Sequence, residues 1–270
     1  MNSIAPRPRA RVSAARITGV LTLAVAFPAF PAFLAFLAFL APASATAAIL
    51  RFGSSLRIPG SLTTDNLDYQ GINTPYGSRV IHTTHVGADT ALWNVVVSGG
   101  RATAPANGEV QEVSLEGCAQ PAGGGPAPLT QIHFQTLAPT GGGAVKVELT
   151  SQSFELPVCG QNGVSRSTVS AYKPNGLCID RGDYVAFNDE GGYVENFYRS
   201  GVPYEVIASM RHARMDSFVK GGGTGNGAVL SPSVTGAAEG FAADPHQELL
   251  LRATLVTGSK ASYCRNGLHS

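Results

Sequence analysis

Apolar and polar residues alternate along several stretches of the chain. Ile132 and Phe134 alternate with Gln131, His133 and Gln135, and Val145, Val147 and Leu149 with Lys146 and Glu148. Leu249, Leu251, Ala253 and Leu255 alternate in the same way with Arg252 and Thr254. A period of two predicts strands with one buried face. "LWNVVV" (Leu92 to Val97) and "YEVIA" (Tyr204 to Ala208) are more continuously apolar, as strands covered on both faces would be. In "GEVQEVSLEG" the alternation slips between Val110 and Val113, which predicts a β-bulge. No window carries a convincing amphipathic helix. The nearest, "IASMRHARMDSFVK" (Ile207 to Lys220), also reads as two short strands with a bend.

Turn signals separate these runs. Asn-Gly pairs begin at Asn107, Asn162, Asn175, Asn226 and Asn266, and Gly- or Pro-rich loops span Pro121 to Pro128, Thr140 to Gly143 and Gly221 to Gly227. Asn and Gly supply the positive φ of tight turns. Roughly ten short strands with this punctuation predict an all-β fold, an antiparallel β-sandwich of jelly-roll type. Without a repeat of constant period or a long linker, the simplest organisation is a single domain over residues 46–270.

The preceding 45 residues read differently. Arg7, Arg9, Arg11 and Arg16 come first, then an apolar run from Ile17 to Leu40, then Ala43-Ser44-Ala45. That order is the layout of a secretory signal peptide. A retained membrane anchor is the alternative, since the run is long enough to span a bilayer, but Pro28 and Pro31 interrupt it. Cleavage would leave no further span and place the mature chain outside the cell or at its surface. The whole chain carries a net charge of +1, and losing the four leader arginines would bring it to −3. A nucleic-acid binder needs a basic stripe, so that class of partner is excluded.

Four cysteines remain, Cys118, Cys159, Cys178 and Cys264. An even number in an exported chain predicts two disulfides, with three connectivities open. No C-x-x-C pair supports a zinc site.

The segment "CIDRGDYVAFNDEGG" gathers four carboxylates around a short apolar run. Read as a strand, it holds Asp183 and Asp189 about 20 Å apart. Glycosidase carboxylate pairs stand about 5–9.5 Å apart, so these two are not such a pair. Asn188, Asp189 and Glu190 are the candidate calcium ligands, although a solvated turn explains them more simply. Arg181-Gly182-Asp183 spells the integrin-recognition tripeptide, a short motif of little weight. Tyr193, Phe197, Tyr198 and Tyr204 cluster in and after the acidic loop, and exposed rings among polar groups are what a sugar-binding surface uses. No nucleophile elbow, zincin, phosphate-loop or dinucleotide motif is present, and no cofactor is expected.

Gln131-Ile132-His133 resembles the Q-I-H motif of jelly-roll alginate lyases. That resemblance implies a glutamine that neutralises the substrate carboxylate and a histidine that assists proton abstraction. The two other signature strands of those lyases are missing. Over about Ala91 to Cys264, "GGRATAPANGEVQEVSLEGC", "PLTQIHFQTL", "YKPNGLCIDRGDYVAFNDEGG" and "HQELLLRATLVTG" resemble a group of exported proteins of high-GC actinobacteria. This second resemblance implies a jelly-roll-like sandwich and an extracellular location, with no activity and no functional residues attached. The sequence is therefore read as a secreted, non-catalytic binding or surface protein whose partner is an extracellular polysaccharide or a cell-surface component. A polysaccharide lyase using Gln131 and His133, or a structural envelope component, are the alternatives.

Overall fold

The computed structural model describes residues 47–57, 88–121, 131–189, 204–221, 224–231, 240–258, 261 and 264, with the backbone alone for strand residues 88–90, 189, 219–221 and 240–245. Residues 1–46 lie outside them. The described residues fall in one compact unit, Ala45–Ser270. Their strands, in chain order, are β1 (Ile49–Gly53), β2 (Ala88–Val96), β3 (Gly108–Glu116), β4 (Cys118–Ala119), β5 (Gln131–Gly141), β6 (Ala144–Thr150), β7 (Phe154–Glu155) and β8 (Val169–Tyr172). After them come β9 (Cys178–Ile179), β10 (Tyr184–Asp189), β11 (Tyr204–Glu205), β12 (Ile207–Gly221), β13 (Val229–Leu230), β14 (Gly240–Leu249) and β15 (Leu251–Val256).

A larger sheet has the order β13-β6-β5-β10-β2-β12-β14, with β7 also on β5. A smaller one has the order β1-β15-β3-β8, with β9 also on β3, and β11 pairs with β4. All of these pairings are antiparallel. The fold is thus all-β and sandwich-like: Val113, Leu115, Leu251 and Ala253 of the smaller sheet share one core with Ile132, Phe134, Val185 and Phe187 of the larger. Each such side chain contributes about 1.5–3 kcal/mol by leaving water. The rings of Phe134, Phe154 and Tyr172 meet at centroid distances of 5.2 to 5.7 Å and tie the sheets together.

Trp93, Leu137, Val147 and Phe218 form a second apolar cluster on the opposite face of the larger sheet. This explains the near-continuous hydrophobicity of "LWNVVV", since Leu92 joins the first core and Trp93 the second. The slip in β3 is a bulge: Thr254 stands opposite Glu112 and Leu255 opposite Val110, leaving Gln111 as the extra residue. The segment Ile207–Gly221 is one strand whose ladder to β14 breaks between Ser209 and Arg214. At that break His212 and His246 both have positive φ, 70° and 62°.

The cysteines pair as Cys118–Cys159 and Cys178–Cys264, with Cα–Cα distances of 5.2 and 5.5 Å, inside the range that disulfide geometry requires. Such bonds persist in oxidising compartments, which is consistent with an extracellular protein. No helix among the described residues is long and apolar enough to cross a membrane.

Candidate functional site

Alternation along β1 and β15 builds the most distinctive polar feature. Phe52, Leu251 and Ala253 point into the core, so Arg51 and Arg252 point outward from the smaller sheet. Gly53 stands opposite Arg252 in the ladder. A Cβ on Gly53 would lie 2.4 Å from the Leu251 carbonyl oxygen, and its φ is 95°, so only glycine allows this close approach. The chain then turns away: Ser54 N–H donates to Leu251 O at 2.7 Å, and Leu56 adopts a φ of 51° with its N–H on Ser54 Oγ at 3.3 Å. This turn delivers Arg57 to the same place. Arg101 arrives from the turn that follows β2, its carbonyl accepting from Gly53 N–H at 2.7 Å.

These elements border an open cavity of about 290 Å³ lined by Arg51, Arg57, Arg101 and Arg252 together with glycines, serines and Phe52. Among the described residues no carboxylate lines it. Arg51, Arg57 and Arg101 are exposed and Arg252 is half-buried. Arg252 Nη1 makes a long contact of 3.4 Å to Ser55 O, while its Nε is buried and meets no acceptor among the described residues. Lys146–Glu148 (3.0 Å) and Arg214–Asp216 (3.6 Å), two ion pairs between described residues, lie elsewhere. A guanidinium stays charged at any ordinary pH and offers a planar fork that fits carboxylate, sulfate or phosphate. Arginines gathered with no described carboxylate in the lining repel one another, and an anion entering the cavity relieves that repulsion while supplying acceptors.

No protein-family model, curated protein or solved structure matches this chain. The chemistry of the residues themselves therefore carries the reading.

Of the residues singled out by sequence, Gln131, His133, Asn188 and Tyr204 are described, and none of them lines the pocket. Gln131 and His133 share a face of β5, as strand alternation requires, with Gln131 exposed opposite Glu155. His133 is buried, and its Nδ1 donates to Ser151 O at 2.8 Å. Around it Gln135 donates to Thr224 O (2.6 Å) and Thr150 Oγ1 (3.0 Å), and Asn188 donates to Thr224 Oγ1 (2.8 Å). This polar row holds the segment at Thr224 against the larger sheet.

One sequence expectation needs correction. Tyr204 is fully buried, with its ring 5.2 Å from that of Phe187, so it anchors the core and presents no face to a sugar. Asn188 is buried too, and its amide nitrogen donates to Thr224 Oγ1. Among the described residues no three His, Cys, Asp or Glu side chains are grouped to hold a metal ion. Asp183 of the Arg-Gly-Asp tripeptide is buried, its Oδ2 accepting from Asp180 N–H at 3.2 Å, which removes it from any receptor-facing tip. Tyr193, Phe197, Tyr198, Glu190 and the Asp189 side chain lie outside the described residues.

Sequence reasoning missed the four arginines because no motif links positions 51, 57, 101 and 252. One signal was present: Arg252 interrupts the apolar run from Leu249 to Leu255, at an outward position of a half-buried strand.

Proposed function

We propose that this chain is a secreted, non-catalytic protein that binds an acidic extracellular polysaccharide, with an anionic group of the polymer seated in the arginine pocket. The observation that carries this reading is that four arginines line one cavity with no carboxylate among the described residues of its lining. A carboxylate- or phosphate-bearing sugar unit supplies both the charge and the acceptors that the cavity lacks. The leader-like N-terminus and the two disulfides support an extracellular setting.

Lyase chemistry at Gln131 and His133 has less support. A base must reach a substrate proton within hydrogen-bonding range, whereas His133 is buried and holds the Ser151 carbonyl.

The reading is tested by depletion of the purified protein from solution by alginate, an acidic polymer, and by neutral dextran. Binding to alginate that weakens as salt is added, with none to dextran, is expected. Equal retention by both polymers, or by neither, would contradict it. Retention by isolated cell walls without any soluble ligand would point to a structural envelope component instead.

A further inference from the structure

We propose that Glu248 is a positioning residue for the arginine pocket: its buried carboxylate fixes the turn that carries Arg101. The proposal rests on the reading of that pocket as the ligand site. Glu248 lies near the end of β14 and is fully buried. Its Oε2 accepts from Ser98 N–H at 2.7 Å, while Oε1 is buried and meets no donor among the described residues. Ser98 leads directly into Gly99, Gly100 and Arg101, all three of which line the pocket.

Gly100 of this turn packs against the β1 edge, where a Cβ would lie 3.1 Å from the Gly53 carbonyl oxygen. Gly99 has a φ of 80°, and no atom lies within 4 Å of the place where a Cβ would stand. Beyond it, Arg101 O accepts from Gly53 N–H at 2.7 Å. The turn is therefore held at its two ends, by Glu248 on one side and by the β1 edge on the other. Burying a carboxylate is unfavourable, and leaving one of its oxygens without a donor adds to that. In return it makes a charge-assisted bond, roughly twice as strong as a neutral one. That strength is applied to the segment whose conformation decides where the Arg101 guanidinium stands.

The test uses the whole protein and two readouts. Without ligand, Glu248→Ala is expected to speed amide exchange at Gly99, Gly100 and Arg101 by about tenfold or more while Phe134 is unchanged. With an alginate oligosaccharide as probe, Glu248→Ala is expected to weaken binding about tenfold, the loss expected for a charged hydrogen bond. In an Arg101→Ala background the same change is expected to weaken binding less than about twofold, because the group it positions is gone. Glu248→Gln keeps an acceptor for Ser98 N–H and is expected to recover most of both effects.

Unchanged exchange in Glu248→Ala would overturn the proposal. So would equal losses of affinity in the two backgrounds, the mark of a general structural effect. A wild-type protein that ignores alginate would overturn the binding assignment, while the exchange measurement would still report on the turn.

Discussion

The side-chain amide of Asn94 pairs with the backbone of Leu249 as a strand would, Nδ2 donating to Leu249 O and Oδ1 accepting from Leu249 N–H, both at 2.8 Å. Asn94 is buried on β2, and this contact links β2 directly to the end of β14, close to the break in the β12 ladder. Asn94→Ala would strand a buried donor and a buried acceptor on Leu249. The expected loss is about 2–4 kcal/mol, read from urea unfolding midpoints at constant slope. Asn94→Asp is expected to be at least as harmful, because it places a carboxylate against the Leu249 carbonyl. A variant as stable as the parent would show that the pair contributes nothing.

The disulfides close segments of 41 and 86 residues. Loop-closure entropy assigns each about 4 kcal/mol of stabilisation. Reduction is therefore expected to lower the urea midpoint sharply, and Cys178→Ser with Cys264→Ser to lower it at least as much as Cys118→Ser with Cys159→Ser. The larger loop ties residue 264 to β9, which pairs with β3 at the centre of the smaller sheet. A midpoint indifferent to reductant would contradict these pairings.

Burial pushes the Tyr172 phenol from its ordinary 10.0 up to about 12, with the Ser170 side chain opposing. The folded protein thus keeps this proton at pH values where the unfolded chain has lost it. The resulting stability is complete below pH 10.0 and disappears as pH rises through about 12. Tyr184 acts in the same direction, through burial first and the Asp216 charge second, with Arg214 opposing. Stability measured across this window is expected to fall less steeply in Tyr172→Phe, which keeps the ring packed on Phe134 and Phe154. An identical alkaline slope would contradict the assignment.

Much of the fold was legible in the pattern of single residues. The period of two located β5, β6 and β15, and the slip at Val110 marked the bulge at Gln111, because each rests on local alternation. Ile207–Lys220 reads in the sequence as two short strands with a bend, and it is one strand whose ladder to β14 breaks between Ser209 and Arg214. Tyr204 misled because an aromatic residue beside a turn looks the same whether it packs inward or outward; only the register of β11 against β4 and the ring of Phe187 decide it. The pocket was illegible for a related reason. Its arginines come from β1, the two turns that follow β1 and β2, and β15, and only the antiparallel pairing of β1 with β15 and the bond from Gly53 to Arg101 gather them. No short-range spacing records such a meeting.

The most direct test is titration of the protein with an alginate oligosaccharide by calorimetry, comparing wild type with Arg252→Ala and with Arg101→Ala. Removing one guanidinium that contacts an anion is expected to weaken binding by about tenfold or more, at roughly 1.5–3 kcal/mol for each charged hydrogen bond lost. The account predicts that loss in both variants, with the wild-type affinity falling as salt rises and unfolding midpoints unchanged. Wild-type affinity retained in Arg252→Ala and Arg101→Ala alike would contradict the arginine pocket as the binding site.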